Sequence, residues 1–122
     1  MSASILTVDD SASIRLTTRV ALSNAGYTIT EAVDGMDGIE KLNAGQFDLI
    51  VTDLNMPKMD GLTMIRELRK MPAHMGVPVI FLTTESDNDL KQQAKAAGAT
   101  GWLTKPFDPE SLVKIVRKVL GK

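Results

Sequence analysis

Acidic, hydroxyl and cationic residues follow four short apolar runs of this chain, at the point where each run ends. In chain order they are Asp9 and Asp10, Asp53, the pair Thr83 and Thr84, and Lys105 before Pro106. If the apolar runs are parallel strands of one sheet, their carboxyl ends share one edge. Carboxylates gathered at that edge repel one another unless a cation neutralises them. The pattern therefore predicts a site for a divalent cation and a phosphoryl group.

Length and composition predict one domain, spanning residues 1–122. A chain of 122 residues with 43% hydrophobic content buries roughly two thirds of the surface that its unfolded form exposes. The sequence has no cysteine, which excludes thiol chemistry and disulfides. Its net charge of −1 gives no electrostatic reason to bind nucleic acid or an acidic membrane. We therefore expect protein partners, with no nucleic acid and no membrane among them.

The ends of the chain carry two further expectations. The N-terminus lacks the basic segment and long apolar core of a signal peptide, and no apolar stretch approaches the ~20 residues that span a bilayer. We therefore expect a cytoplasmic protein. The sequence ends directly after its last predicted helix, so we expect no effector domain.

Short apolar runs alternate with segments of helical character along the whole chain. The predicted strands are Ile5–Val8, Thr28–Glu31, Leu49–Thr52, Val77–Thr83 and Gly101–Thr104. The predicted helices lie near 12–25, 35–44, 61–71, 87–97 and 109–120. The third and fourth strands are apolar on both faces, as in central parallel strands with helices on each side. Five such units predict a doubly wound α/β domain with a five-stranded parallel sheet and five helices.

Boundary residues agree with this assignment. Ser11 or Ser13 can cap the first helix, and Asp108-Pro109 fits an N-cap followed by proline in the first turn. Glycines 26, 45 and 98 stand where helices are expected to end.

The residue types at the strand ends indicate a particular chemistry. All-oxygen ligands favour a hard cation, and a site with few protein ligands suits Mg²⁺ better than Ca²⁺. A metal ion, an ammonium and a hydroxyl together can neutralise a transferring phosphoryl group. Asp53 follows the middle strand of the sheet, so it is the best candidate for a carboxylate nucleophile that forms an aspartyl phosphate. Lys105 has a second interpretation, a purely structural ion pair.

These residues, with the run from Asp53 to Gly61 and Lys105-Pro106-Phe107, resemble the receiver domain of two-component response regulators. The resemblance covers the whole chain, and the chain is similar to single-domain response regulators of the CheY-like type. It implies a flavodoxin-like fold with strand order 2-1-3-4-5. It also implies that Asp53 is the phosphoacceptor for a sensor histidine kinase. Lys105 would pair with a phosphoryl oxygen, and Thr83 would hydrogen-bond to the phosphoryl group.

The resemblance also implies a ligand set for Mg²⁺. Asp10, Asp53 and the backbone carbonyl of Asn55 would bind the ion directly, and Asp9 would bind it through water. Lys105-Pro106 corresponds to a cis peptide of the family, although the sequence alone would favour a trans turn.

Four positions are candidates for switching and for tuning the phosphoryl lifetime. Trp102 stands where similar receivers have a tyrosine or phenylalanine that moves together with the threonine at Thr83. The larger indole puts that rotation in doubt, and the sequence alone favours a packing role. Asn55 and Glu85 resemble the polar pair of rapidly dephosphorylating chemotaxis receivers. Thr84 replaces a frequent alanine, and its branched side chain would narrow the approach to the site.

The sequence thus predicts a signalling protein that catalyses its own phosphorylation and dephosphorylation and changes its protein-binding surface. Chemotaxis is favoured, with the flagellar motor switch as one possible target and a phosphatase as a further partner. The alternatives are a phosphorelay intermediate and a Mg²⁺-dependent aspartyl-phosphate phosphohydrolase. A hydrolase of that kind usually has a second carboxylate two residues after its nucleophile, where this chain has Asn55.

A flavin carrier on the same fold is disfavoured because Asp9 and Asp10 would repel a phosphate. His74 is predicted to be a surface residue.

Overall fold

The part of the chain that the structure describes forms five β-strands and five α-helices that alternate along the sequence. We describe it from a computed structural model that covers residues 3–54, 59, 61–74, 76–83, 88–105 and 107–121, with the backbone alone at 88–91. The strands are β1 (Ser4–Val8), β2 (Thr28–Ala32), β3 (Leu49–Asp53), β4 (Val79–Thr83) and β5 (Gly101–Thr104). The helices are α1 (Ala12–Asn24), α2 (Gly35–Ala44), α3 (Gly61–Leu68), α4 (Asn88–Ala96) and α5 (Pro109–Leu120). Among the described residues, no helix is long and apolar enough to cross a membrane.

All five strands are parallel and lie in the order β2-β1-β3-β4-β5. The predicted fold class, strand order and number of helices are therefore confirmed. A parallel sheet of this kind needs a helix in each crossover connection. Every strand consequently points its carboxyl end toward the same edge of the sheet.

Two apolar cores lie on opposite faces of this sheet, because successive side chains along a strand point to opposite sides. Leu6, Ile50 and Phe81 pack on one face against residues of α2, α3 and α4. Their neighbours in the same strands pack on the other face against α1 and α5, and they include Ile5, Leu49, Val51, Ile80 and Leu82. Covering both faces explains why the central strands are apolar throughout.

The predicted helix ends agree with the observed caps. The Ser11 hydroxyl accepts a hydrogen bond from the Ile14 amide, and the Asp108 carboxylate accepts one from the Ser111 amide. Of the two serines offered as caps for α1, the structure therefore uses Ser11. Gly26 and Gly98, just beyond two helices, have φ angles of 99° and 102°, a conformation that strongly favours glycine.

Two predicted boundaries were wrong, and in both cases a proline is the reason. β4 begins at Val79 and not at Val77, because Pro78 has no N–H to donate to a strand ladder. α3 ends at Leu68 and not near residue 71, where the chain tightens into a short 3₁₀ turn, Pro72–His74. The helical conformation is unfavourable for a residue that directly precedes a proline, so the helix ends before Pro72.

The prediction that His74 is a surface residue was also wrong. Its exposed fraction is 3%, and its Nε2 atom lies 2.8 Å from the Leu42 carbonyl oxygen. A carbonyl oxygen can only accept, so Nε2 donates the hydrogen bond. His74 thus satisfies one of the carbonyl groups that the last turn of α2 leaves without a helical partner.

Gly61 is the residue on which the start of α3 depends. Its amide donates a hydrogen bond to the Leu54 carbonyl, which brings the helix close to the end of β3. A Cβ atom at this position would overlap the Asp53 carbonyl oxygen and lie 2.9 Å from the Phe81 ring. Only glycine therefore permits this approach.

We predict that Gly61→Ala lowers the free energy of unfolding by about 1–3 kcal/mol, because the added methyl group overpacks a buried contact. Gly76→Ala is the matched control, since a Cβ atom there meets no described atom within 4 Å. The control should be neutral or stabilising by up to about 1 kcal/mol. Denaturant titration of both variants measures the difference, and equal stabilities would contradict this role of Gly61.

Candidate functional site

The strand register places four of the predicted site residues at one edge of the sheet. Val8 pairs with Thr52, so Asp9 and Asp53 lie at the same level on adjacent strands. Leu82 pairs with Asp53, which puts Thr83 one residue beyond it on the next strand. Thr83 pairs with Thr104, so Lys105 follows at the outer end.

The ammonium group of Lys105 forms two ion pairs across this edge. Its Nζ atom lies 3.0 Å from Asp9 Oδ2 and 3.3 Å from Asp53 Oδ1. Both carboxylates are nearly buried, with exposed fractions of 3% for Asp9 and 7% for Asp53. Carboxylates removed from water in this way need a cation close by. Lys105 supplies that positive charge by reaching from β5 past the end of β4.

Three carboxylates at this edge can approach a common point. Asp9, Asp10 and Asp53 each offer an oxygen atom, and these atoms all lie within 4.8 Å of one another. Asp10 is exposed, whereas Asp9 and Asp53 are buried. Oxygen ligands of this type suit a hard divalent cation that keeps part of its water shell. The donor set present therefore fits Mg²⁺.

Asp9 is held more firmly than its neighbour. Its Oδ1 atom accepts a hydrogen bond of 2.9 Å from the Ser11 amide, while its Oδ2 atom pairs with Lys105. Its own amide donates to the Ala32 carbonyl at 3.2 Å. Both carboxylate oxygens of Asp9 are thus engaged within the chain, whereas Asp10 faces solvent.

Thr83 ends β4 and is fully buried, with an exposed fraction of 0%. Its carbonyl accepts a hydrogen bond of 2.7 Å from the Lys105 amide. The backbone therefore couples the two residues that are predicted to contact a phosphoryl group. A buried hydroxyl has to change its surroundings before it can meet a ligand that arrives from solvent.

Trp102 stands beside Phe81 on neighbouring strands. The two rings meet edge to face, with their centroids 6.0 Å apart and their planes at 61°. The indole is partly buried against the core, and it lines a groove with Ala94 and Lys95 of α4. It combines packing with partial exposure, which is the combination that an interface residue needs.

Several predicted site residues lie outside the described residues. They are Asn55, Thr84 and Glu85, together with Pro106 and hence the predicted cis peptide. Their roles stay predictions.

Two residues that contribute to the site were not singled out from the sequence. Arg15 donates a hydrogen bond of 2.6 Å from its Nη1 atom to the Asp9 carbonyl, and Gly61 lies against the Asp53 carbonyl. No local signal identifies Arg15, because an arginine on a helix usually faces solvent. Gly61 did fall inside the motif that begins at Asp53, but its close packing depends on the tertiary fold.

Comparison with known proteins supports the same interpretation. The family model "Response regulator receiver domain" matches residues 5–117. The chain is 42% identical to chemotaxis response regulator CheY4 of Vibrio cholerae, covering 98% of this chain and 100% of that one with a TM-score of 0.94. It is also similar to the receiver domain of sensor histidine kinase PA1611 from Pseudomonas aeruginosa, whose structure has a magnesium ion in the active site cleft. That match has 27% identity, full coverage of both chains and a TM-score of 0.90.

A curated relative is longer than this chain. The chain is 38% identical to the chemotaxis protein CheV3 of Helicobacter pylori over 97% of its own length. It spans 41% of the length of CheV3.

We predict that Lys105→Ala binds Mg²⁺ more tightly, because the ammonium group is not a metal ligand and its removal leaves two carboxylates unneutralised. The dissociation constant should fall roughly three- to tenfold, as measured by isothermal titration. Lys70→Ala is the control, since its ammonium pairs with Glu67 on the exposed surface of α3's last turn and should leave the affinity unchanged. Weaker metal binding in Lys105→Ala would instead mark Lys105 as a structural residue.

Proposed function

Because the chain belongs to the family of response regulator receiver domains, we propose that it is a phosphorylation-activated signalling switch whose phosphoacceptor is Asp53. The observation that carries this proposal is the pair of ion pairs from Lys105 to Asp9 and Asp53. They place a nearly buried carboxylate beside an ammonium group, at an edge where three aspartates converge. Such an arrangement has the charges that phosphoryl transfer to a carboxylate requires.

Receiver domains in general bind Mg²⁺ at an acidic pocket. Here Asp10, Asp53 and the backbone carbonyl of Asn55 would hold the ion directly, and Asp9 would hold it through water. When bound, the ion neutralises charge on the carboxylates and on the phosphoryl oxygens. An anionic donor can then approach a site that would otherwise repel it.

The proposed reaction transfers one phosphoryl group. An Asp53 carboxylate oxygen forms a bond to phosphorus, while the phosphorus–nitrogen bond of a phosphohistidine breaks and its electron pair stays on the imidazole nitrogen. Lys105 pairs with a phosphoryl oxygen through a charge-assisted hydrogen bond, and the Thr83 hydroxyl donates to another. Attack of water on the same phosphorus later restores the carboxylate. Asn55, Thr84 and Glu85 are the residues proposed to set the rate of that attack.

The proposed switch depends on the contacts that Lys105 and Thr83 would make with the phosphoryl group. Thr83 is buried before phosphorylation, so bonding to the phosphoryl group moves it and the chain that follows it. Within the described side chains, α4 packs into the core through Ala94, and Ala97 packs against the core just beyond the end of the helix. A helix that buries little apolar surface shifts at low energetic cost. We therefore propose the surface of α4, β5 and α5, with Trp102, as the output face.

Receiver domains interact with histidine kinases and with downstream targets. We propose a sensor histidine kinase as the phosphodonor and a chemotaxis protein as the target, on the basis of the similarity to CheY4 and CheV3. The flagellar motor switch is one candidate target, and a phosphatase is a further candidate partner. The cytoplasm is the proposed location, since the donor kinase phosphorylates its partner there.

An apolar surface beside the site supports a protein donor. Leu16, Val20, Val33 and Met36 are each about half exposed, from 47% to 54%. Leu16 and Val20 belong to α1, Val33 follows β2, and Met36 lies in the first turn of α2. The start of α1 and the end of β2 border the loop of Asp9 and Asp10. Apolar side chains exposed next to a reactive site are typical of protein–protein contact.

We predict that acetyl phosphate with Mg²⁺ labels one site, Asp53, and that Asp53→Asn abolishes the label. The metal has to offset the carboxylates before the anionic donor can react, so a chelator should prevent labelling. Intact-protein mass spectrometry measures the gain of one phosphoryl group. Glu40→Gln removes an exposed carboxylate and should label normally. Equal labelling of Asp53→Asn, or labelling that a chelator leaves undiminished, would overturn the assignment.

We predict that Trp102→Ala weakens binding of the phosphorylated chain to its target by ~2 kcal/mol or more, because a partly exposed aromatic is a frequent interface anchor. Labelling of Asp53 should stay nearly normal. The target is first identified by its retention on the phosphorylated chain and then titrated against both forms. Trp102→Phe, which keeps an aromatic ring, should lose less affinity. Unchanged affinity of Trp102→Ala would leave Trp102 with a packing role only.

A further inference from the structure

Arg15 lies in the first turns of α1, directly behind the acidic loop. Its Nη1 atom donates a hydrogen bond of 2.6 Å to the backbone carbonyl of Asp9. The side chain is partly buried. Since a guanidinium group is always charged and offers several donors in a fixed plane, this contact can fix the direction of a carbonyl group.

The Asp9 carbonyl belongs to the peptide group that leads into Asp10. The other polar groups of Asp9 are already engaged, its amide with Ala32, one carboxylate oxygen with the Ser11 amide and the other with Lys105. Arg15 supplies a donor for the remaining one. Rotation of this peptide plane would move Asp10, so Arg15 constrains where the exposed carboxylate of the cluster stands.

Asp37 of α2 carries a further negative charge that acts on Arg15. The Val33 amide donates to Asp37 at 2.9 Å, and this hydrogen bond holds the pKa of Asp37 below its usual value, with smaller contributions from Lys41 and Arg15. The charge of Arg15 is therefore attracted both toward the acidic loop and toward Asp37.

From these contacts we propose that Arg15 is a positioning residue for the metal site, which holds the Asp9-Asp10 peptide so that both carboxylates present their oxygens to Mg²⁺. This role of Arg15 rests on the proposed function. The role is an addition to that function, because Arg15 acts through the backbone and touches neither the metal nor the phosphoryl group.

Loss of the Arg15 side chain should change the Mg²⁺ affinity in the direction opposite to the one that simple electrostatics predicts. Removing a positive charge near three carboxylates should by itself attract Mg²⁺ more strongly. Removing the hydrogen bond should instead free the loop and weaken Mg²⁺ binding. The direction of the change in affinity therefore separates a positioning role from a charge effect.

Arg19 provides a matched control on the same helix. It lies one turn beyond Arg15 and pairs with Glu31 through its Nη1 atom at 3.3 Å. Its side chain is 48% exposed, and surface pairs of this kind contribute little to stability. Arg19→Met and Arg15→Met remove the same charge from the same element, but only the second removes a contact to the acidic loop.

The experiment is titration of Mg²⁺ alone into metal-free protein by isothermal calorimetry. We expect the dissociation constant of Arg15→Met to rise roughly three- to tenfold, less than the full contribution of one charged hydrogen bond, because Arg15 acts on the metal only through the backbone. The dissociation constant of Arg19→Met should stay within about twofold of the wild-type value. Phosphorylation of Arg15→Met by acetyl phosphate should return to the normal rate when Mg²⁺ is saturating, because Arg15 does not contact the phosphoryl group.

Two results would overturn the proposal. One is an Arg15→Met affinity for Mg²⁺ that is unchanged, with or without a loss of thermal stability, and the other is an affinity that is tighter. If circular dichroism shows that Arg15→Met does not fold, Arg15→Ala, which also removes both the charge and the donor, is subject to the same criteria. Failure of the unchanged chain to bind Mg²⁺ would contradict the proposed function instead, so the two failures are distinguishable.

Discussion

The double ion pair of Lys105 is the interaction on which the site depends. Two carboxylates with less than a tenth of their surface exposed would repel each other and lack hydration if no cation stood between them. Lys105 holds both within 3.3 Å. The same charge opposes a divalent cation at the same oxygens. Under the proposed function, metal and phosphoryl groups would therefore reach these carboxylates at the expense of a contact that the chain already makes.

That contact is possible only because the sheet fixes the positions of the strand ends that carry Asp9, Asp53 and Lys105. β5 and β1 are separated by β4 and β3, so the lysine side chain has to cross the ends of two strands. The parallel register puts Thr83 one residue and Lys105 two residues beyond the level of Asp53, and the absence of a side chain at Gly61 lets α3 begin against the end of β3. Apolar strands covered on both faces give this edge its rigidity, since buried close-packed strands resist local opening.

Most of the fold and the main charged residues could be predicted because their signals are local. An apolar run that ends in Asp9 or Asp53 shows both the strand and the residue at its end. The two boundary errors came from local signals, Pro72 and Pro78, whereas the other failures concern features that depend on distant contacts. His74 is polar and lies in a loop segment, yet a carbonyl of α2 accepts its hydrogen bond. The reach of Arg15 to the Asp9 carbonyl has no sequence signature, because it depends on how α1 leaves the sheet.

The backbone coupling of Thr83 and Lys105 indicates how a charge change at Asp53 can reach the surface. Formation of the aspartyl phosphate neutralises the carboxylate and brings a phosphoryl group that carries its own negative charge, so under the proposed function Lys105 follows the phosphoryl oxygens. Its amide is bonded to the Thr83 carbonyl, and therefore a shift of either residue acts on the other. The strands behind them are fixed by the contact of Phe81 with Trp102. Under the proposed function, the element that responds is α4, which follows Thr83 in the chain and places Ala94 in the core.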